Sequence, residues 1–398
     1  MFFQQLKREI LRFKSLSNNA QKLLISYFFV GMSYPLILTF VNAYIFKKHG
    51  DILTLSVYYL GYFAAVTATF FMNGFLLKKI PIKRLYFAGT LFMGISPLIL
   101  VFYTHTAIYN YFIYGLIGGL GLGFHWANRN YFTQVETKSE ERNYFQGFSF
   151  SADTITSVVI AFIAGWLLVL GVSYQALMFV AFIFLTAAGL FILKTHFPQP
   201  KIRQIRPKKA SKNWKDIRLL QFGVGVGEGM GFFFVSLIIL IYLGNEGVLG
   251  TLSSATSLLA ASLIYIYGRK AKVEHRKTLM IVNLTVGIIF SLFLAVFFNN
   301  IALLLFVLTW GIVNNFFWLA VGPISMDAID NEDDKKEDQY SYIFDMELLL
   351  NIGRATSIFI GLAIFFMWGQ GISLRFAPLV LFLLQATITP KKLLNIKT

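Results

Sequence analysis

Twelve stretches of roughly 20 mostly apolar residues, separated by short charged or glycine-containing breaks, recur along the chain, and no other feature restricts its fold so tightly. A helix of that length crosses the hydrocarbon core of a bilayer. With no water at that depth, each backbone N–H and C=O must be satisfied within its own segment. Runs this long and continuous therefore suit helices rather than the short alternating strands of an outer-membrane barrel. A composition of 57% hydrophobic against 14% charged residues lies outside the balance of a soluble domain and points the same way. The expected fold class is an all-α polytopic membrane protein of about twelve transmembrane helices.

The spans read as Leu23–Phe46, Thr54–Leu77, Leu85–Tyr103, Ile108–Asn128, Phe145–Leu170 and Tyr174–Leu193 in the first half. The second half gives Leu219–Leu243, Val248–Gly268, Thr278–Phe298, Ile301–Met326, Tyr342–Trp368 and Ile372–Ile388. The organisation expected is a cytoplasmic amphipathic segment at 1–22, a six-helix bundle at 23–195, a basic linker at 196–216, a second bundle at 217–390 and a tail at 391–398.

A net charge of +16 could serve nucleic-acid binding, but the basic residues sit in alternate loops. One side holds Lys7, Arg8, Arg12, Lys14 and Lys22, then Lys78, Lys79, Lys83 and Arg84, Lys138 and Arg142, the run from Lys194 to Arg218, the cluster from Arg269 to Lys277, Lys335 and Lys336, and Lys391, Lys392 and Lys397. The other holds Lys47, Lys48 and Arg375. The excess marks the cytoplasmic side of an inner membrane, puts both termini there, and calls for no nucleic-acid partner. In residues 1–22 the apolar residues interleave with basic ones, unlike a cleaved signal, so this segment is expected to lie on the anionic leaflet.

Cysteine is absent, the five histidines show no metal-ligand spacing, and neither a phosphate-binding Gly-Lys loop nor a nucleophile elbow is present. No cofactor, no metal and no enzymatic reaction are expected.

A shift of about 192 residues superposes the halves. The loop Gly74–Arg84 falls on Tyr267–Lys277, each with two basic clusters, and Phe124-His125-Trp126 falls on Phe316-Phe317-Trp318. With 6 + 6 spans, cytoplasmic termini and a basic loop between halves, the sequence resembles the major facilitator superfamily over essentially its whole length. That family carries a Gly-x-x-x-Asp-Arg-x-Gly-Arg-Arg loop between its second and third helices. Here Gly74 matches, Lys78 stands where the acid is usual, and Lys83 with Arg84 keeps the basic end. The gating ion pair built on that aspartate is therefore not expected. The fifth span lacks the Gly-Pro element and the fourth the early arginine of the family's drug–proton antiporters, with Gly115 at the latter place. The resemblance implies a central cavity between halves and alternating access by rocking.

Charges inside spans are costly and face a partner or a wet cavity. These are Arg129, Asp153, Glu228, Glu347 and Arg354, with His125 beside them as a titratable group. Arg129 and Asp153 lie towards the same side of neighbouring spans and form a candidate ion pair, read either as a structural clamp or as part of a substrate or proton site. Glu228 sits inside the run Gly223–Gly231, where alternate residues are glycine; close helix packing and a bend at the cavity are both open. It has no charged neighbour in sequence, and an unpaired membrane carboxyl is expected to stay neutral until its site wets, as a proton-coupling group requires. Glu347 and Arg354, seven apart, share a face of the eleventh span, and with Asp345 form a candidate polar lining. Trp126 and Trp318, with Phe316 and Phe317, are candidates for stacking a ring in the cavity or for simple packing. Gly115, Gly119 and Gly123 read as helix contacts. The acid-rich stretch Asp327–Asp338 reads as a solvated loop or as a partner for the basic loops.

The function read from this is a secondary transporter of a small solute, proton-coupled and working as a monomer. Uptake of a polar nutrient and export of an amphiphile fit equally. The alternative is a receptor-like or lipid-handling membrane protein that kept the architecture without coupled transport.

Overall fold

The computed structural model describes residues 13–103, 107–136, 139–197, 199, 202, 204–207, 211–268, 275–332 and 339–393. Residues 1–12, the basic loops around Lys208 and Lys270, most of the acid-rich stretch after Glu332 and the last five residues lie outside them. The described chain forms twelve long helices: α1 (Asn18–His49), α2 (Ile52–Leu76), α3 (Ile82–Phe102), α4 (Ile108–Glu136), α5 (Ser139–Val169), α6 (Tyr174–Leu193), α7 (Lys212–Leu243), α8 (Glu246–Gly268), α9 (His275–Phe297), α10 (Asn300–Glu332), α11 (Gln339–Trp368) and α12 (Gln370–Leu393). Among the described residues there is no strand. Eleven helices are long and apolar enough to cross a membrane. The twelfth, α4, is 29 residues long, but its apolar character is diluted by glycines, tyrosines, His125, Asn128 and Arg129. It packs along α2 and α3 inside the first half.

Local chemistry sets the helix ends. Ser17, Asp51, Ser173 and Ser211 accept from backbone N–H groups in the first turns of α1, α2, α6 and α7. The tight connections α1–α2, α5–α6, α7–α8 and α11–α12 all lie on the face opposite the chain ends, and each turns at a glycine with positive φ: Gly50, Gly171, Gly244 and Gly369. These pair between halves, Gly50 with Gly244 and Gly171 with Gly369, at connections that stand six helices apart.

Packing repeats on the same shift. Within the first half α2 packs on α4, α3 on α4 and α6, and α1 on α5 and α6; six helices later α8 packs on α10, α9 on α10 and α12, and α7 on α11 and α12. Two pseudo-symmetric six-helix bundles result. They meet through α2 with α11 and α5 with α8, pairs that the same shift interchanges. Where α4 crosses α2, a side chain on Gly115, Gly119 or Gly123 would strike the backbone of Tyr58, Tyr62 or Val66, so the glycine spacing is a contact stripe.

The halves are tied near both faces. Towards the chain ends, the Tyr340 hydroxyl of α11 donates to the Phe70 carbonyl of α2 at 2.8 Å and accepts from Asn73 Nδ2 at 3.0 Å. Towards the opposite face, Asn42 Nδ2 of α1 donates to the Phe232 carbonyl of α7 at 2.6 Å, and Lys47 pairs with Glu246 at 3.0 Å. A cleft of about 430 Å³ opens beside that pair, lined by Tyr44, Lys48, Tyr174 and Gln175 among others.

Candidate functional site

The glycine run of α7 positions the second half's charges. Gly225 and Gly229 lie against the backbone of Leu350 and Arg354, Gly353 of α11 lies against that of Phe222, Gly223 and Gly227 meet Thr389 and Gln385 of α12, and Gly231 meets the Trp310 ring of α10. Three neighbours are thus met by one alternating-glycine stretch. The same stretch interrupts the helix: it ends at Glu228, turns at Gly229 and Met230, and resumes at Gly231. The Met230 N–H freed by the break donates to Ser357 Oγ of α11 at 3.0 Å. Packing and bending are the same feature here.

At this break Glu228 meets Arg354. Arg354 Nη2 and Nε donate to Glu228 Oε2 at 2.7 and 3.1 Å, while Trp318 Nε1 of α10 donates to Oε1 at 3.2 Å. Arg354 Nη1 donates to Asn351 Oδ1 at 3.1 Å, and its guanidinium lies 5.1 Å from the Phe232 ring and 5.4 Å from Phe63, a residue of the other half. The expectation that no cation holds Glu228 is overturned. Its partner is 126 residues away in sequence and is delivered by the glycine-mediated approach of α11. Glu347 is half-buried on the same face of α11 and within electrostatic reach of both Arg354 and Glu228.

Asp345 does not belong to this lining, contrary to the sequence reading. It is fully buried nearer the chain ends, where Arg218 and Trp214 of α7 and Arg206 of the linker all donate to it. One residue's step along α11 turns its side chain about 100° away from Met346 and about 200° from Glu347.

In the first half, Arg129 Nη2 lies 3.4 Å from Asp153 Oδ2 and 3.2 Å from Ser149 Oγ. Its guanidinium stacks over Tyr27 at 4.4 Å and Trp126 at 4.6 Å. Gly31 of α1 leaves the space that Asp153 Oδ1 occupies. The two tryptophans related by the sequence shift thus serve opposite members of the two pairs: Trp126 covers an arginine and Trp318 bonds a glutamate. His125, one turn before Arg129, is fully buried against Tyr86, and neither ring nitrogen has a hydrogen-bond partner among the described residues. Phe316 and Phe317 are buried packing residues.

The loop Gly74–Arg84 is partly structural. A side chain at Gly74 would press on Tyr340 and the linker's Ile205, Lys83 donates to the Thr195 carbonyl at the end of α6, and Arg84 is exposed. Residues that sequence reasoning passed over are Tyr27, Ser149, Phe63, Phe232 and Asn351. Of these, Asn351 carried a signal, standing between Glu347 and Arg354 at helical spacing on one face.

The described fold is a multi-pass helical membrane bundle with an ion pair in each half. The sequence profile of the Major Facilitator Superfamily matches residues 23–335, and the chain belongs to that family. Its fold is similar to crystal structures of the nucleoside transporter NupG and of a point mutant of that transporter, with TM-scores of 0.68 and 0.69, 14% identity, and coverage of 96% of this chain and all of that one. In sequence it is 28% identical over 347 residues to the uncharacterized protein YqgE of Bacillus subtilis (strain 168), covering 80% of this chain and 76% of that protein. A Geobacillus stearothermophilus protein encoded in the sodM 3' region is 33% identical over 125 residues, 30% of this chain and 56% of the other.

Proposed function

We propose that this chain is a proton-coupled secondary transporter of the inner membrane. It moves a small solute by rocking its two bundles, with the boundaries drawn at 23–195 and 217–390, about the region where the buried charges lie. One observation carries the reading: each half holds its own ion pair within its spans, and Arg354 of the second half rests on Phe63 of the first, which sets the Glu228–Arg354 pair against the other bundle. A single chain supplies both pairs, and in this reading the monomer is the functional unit. In this reading Glu228 and Glu347 share Arg354 as the coupling group, Arg129 and Asp153 complete the site, His125 borders it, and both termini with the linker are cytoplasmic.

Proteoliposomes under an imposed pH gradient test the coupling against a panel of metabolites and amphiphiles. The wild type should accumulate a solute, whereas Glu228→Gln, which keeps size but cannot release a proton, should lose gradient-driven accumulation and retain exchange down the solute's own gradient. Unchanged pH-driven accumulation in the variant removes Glu228 from coupling. A reporter fused after Lys209 tests the orientation; activity on the outer side reverses it.

A further inference from the structure

The face opposite the chain ends is poor in cations: its loops hold Lys47, Lys48 and Arg375. Arg375 is bound to the Ala295 and Val296 carbonyls at the end of α9. The two lysines stand side by side at the end of α1, and both line the cleft of about 430 Å³ beside the Lys47–Glu246 pair. A pair of ammoniums gathered on the face where lysine is rare is not explained by membrane topology. Lys47 donates to Glu246 Oε1 at 3.0 Å, and the Tyr174 hydroxyl donates to the same oxygen at 2.8 Å. Lys48 makes no ion pair among the described residues; its ammonium lies 5.8 Å from the centre of the Tyr44 ring. Of the titratable groups next along the chain, His49 bonds the Tyr111 hydroxyl and Asp51 accepts from the Thr54 N–H at the start of α2. The lining thus sets two ammoniums against one carboxylate.

A third source of positive potential lies in the same wall, where α6 begins at Tyr174. Ser173 meets two of the first N–H groups of this helix, that of Ala176 through Oγ at 3.2 Å and that of Leu177 through its carbonyl at 3.3 Å. Those of Tyr174 and Gln175 have no acceptor among the described residues, and such N–H groups at a helix start attract an anion. The rest of the wall is apolar, with Leu168, Val172 and the rings of Tyr44 and Tyr174 set edge to face at 5.4 Å. The volume is that of a small-molecule site. From two ammoniums, a helix N-terminus and a ring-lined wall around a single carboxylate, we propose that this cleft binds a small organic anion, a carboxylate or phosphate monoester carried on an apolar or aromatic body. The anion takes Lys48 and the α6 N–H groups and competes with Glu246 for Lys47. Because that ion pair ties α1 to α8, a bound anion loosens one contact between the halves. Glu228, Arg354, Arg129 and Asp153 do not line the cleft, so the site is independent of them.

The test uses full-length protein in detergent at constant ionic strength, with benzoate and phenyl phosphate as probes and benzyl alcohol and benzylammonium as neutral and cationic controls. Melting temperature and calorimetric titration are the readouts. Both anions should bind and raise the melting temperature, and the controls should not. Lys48→Gln should weaken both anions at least about tenfold by removing a charge-assisted contact, while Lys79→Gln, an exposed lysine on the other face, should leave them unchanged. Glu246→Gln removes the competitor for Lys47 and should tighten them about threefold or more. Controls that bind as well as the anions, or equal anion affinity in wild type and Lys48→Gln, overturn the proposal. A short-chain phosphatidylglycerol that displaces phenyl phosphate at lower concentration than benzoate does assigns the cleft to a lipid headgroup and discards the soluble anion. If the anions bind while proteoliposomes accumulate no solute, the site stands and the transporter reading falls; if solute accumulates and no anion binds, the reverse holds.

Discussion

The two buried ion pairs occupy related halves and are built differently. In the first half Arg129 reaches Asp153 through one long contact and donates to Ser149, its guanidinium is clasped by ring faces, and the Asp153 side chain is 27% exposed. In the second half Arg354 donates twice to Glu228, the other carboxylate oxygen is bonded by Trp318, and the two side chains are 10% and 12% exposed. An arginine held by rings can change its carboxylate partner at small cost. One locked in a closed hydrogen-bond set beside a second carboxylate cannot. The first pair is the looser and more exposed of the two, and the second is the tighter.

The largest effect should separate them at once. Arg354→Ala leaves Glu228 and Glu347 without a cation and should destabilise the protein by about 3–5 kcal/mol, whereas Arg129→Ala should cost about 1–2 kcal/mol because Asp153 reaches solvent. Thermal melting in detergent reads both, and equal losses would dissolve the contrast. A double-mutant cycle sharpens it. Glu228→Gln with Arg354→Gln should show a coupling energy of about 1–3 kcal/mol, and Asp153→Asn with Arg129→Gln one below about 1 kcal/mol. Strict additivity for the second-half pair would mean that its short contacts carry no energy. The smallest difference concerns the tryptophans. Trp318→Phe removes a donor to a charged group and should cost about 1–2 kcal/mol, while Trp126→Phe keeps a ring face for Arg129 and should stay within about 0.5 kcal/mol.

How much of this could be read in advance follows from sequence distance. All twelve helices were legible, because a bilayer demands one long apolar run per crossing, and eleven of them are long and apolar enough to cross; α4, with its diluted hydropathy, was marked by the turn and charge signals at its ends. Arg129 and Asp153 were legible as a pair because consecutive antiparallel spans bring the same end together. Glu228 and Arg354 were not, since their helices are far apart in the chain and only the bundle topology puts α7 against α11. The shift of about 192 residues held the missing hint: it sets Trp318 on Trp126, which lies one turn from a charge, so a charged group was due beside Trp318 as well. Asp345 misled for a local reason. Two residues' spacing from Glu347 looks like proximity along the chain but is just over half a turn of helix.

The linker between the bundles is shorter in effect than in sequence. Gln199 donates to the Leu77 and Ile80 carbonyls between α2 and α3, and Arg206 pairs with Asp345 of α11. Between these anchors lie seven peptide steps, about 24 Å at full extension. While both anchors hold, the segment is a leash that limits how far the first bundle's α2–α3 corner can swing from the start of α11. If the bundles rock as proposed, the stroke on that face is set by a chain length, and inserting glycines between Gln199 and Arg206 lengthens it without changing a buried charge.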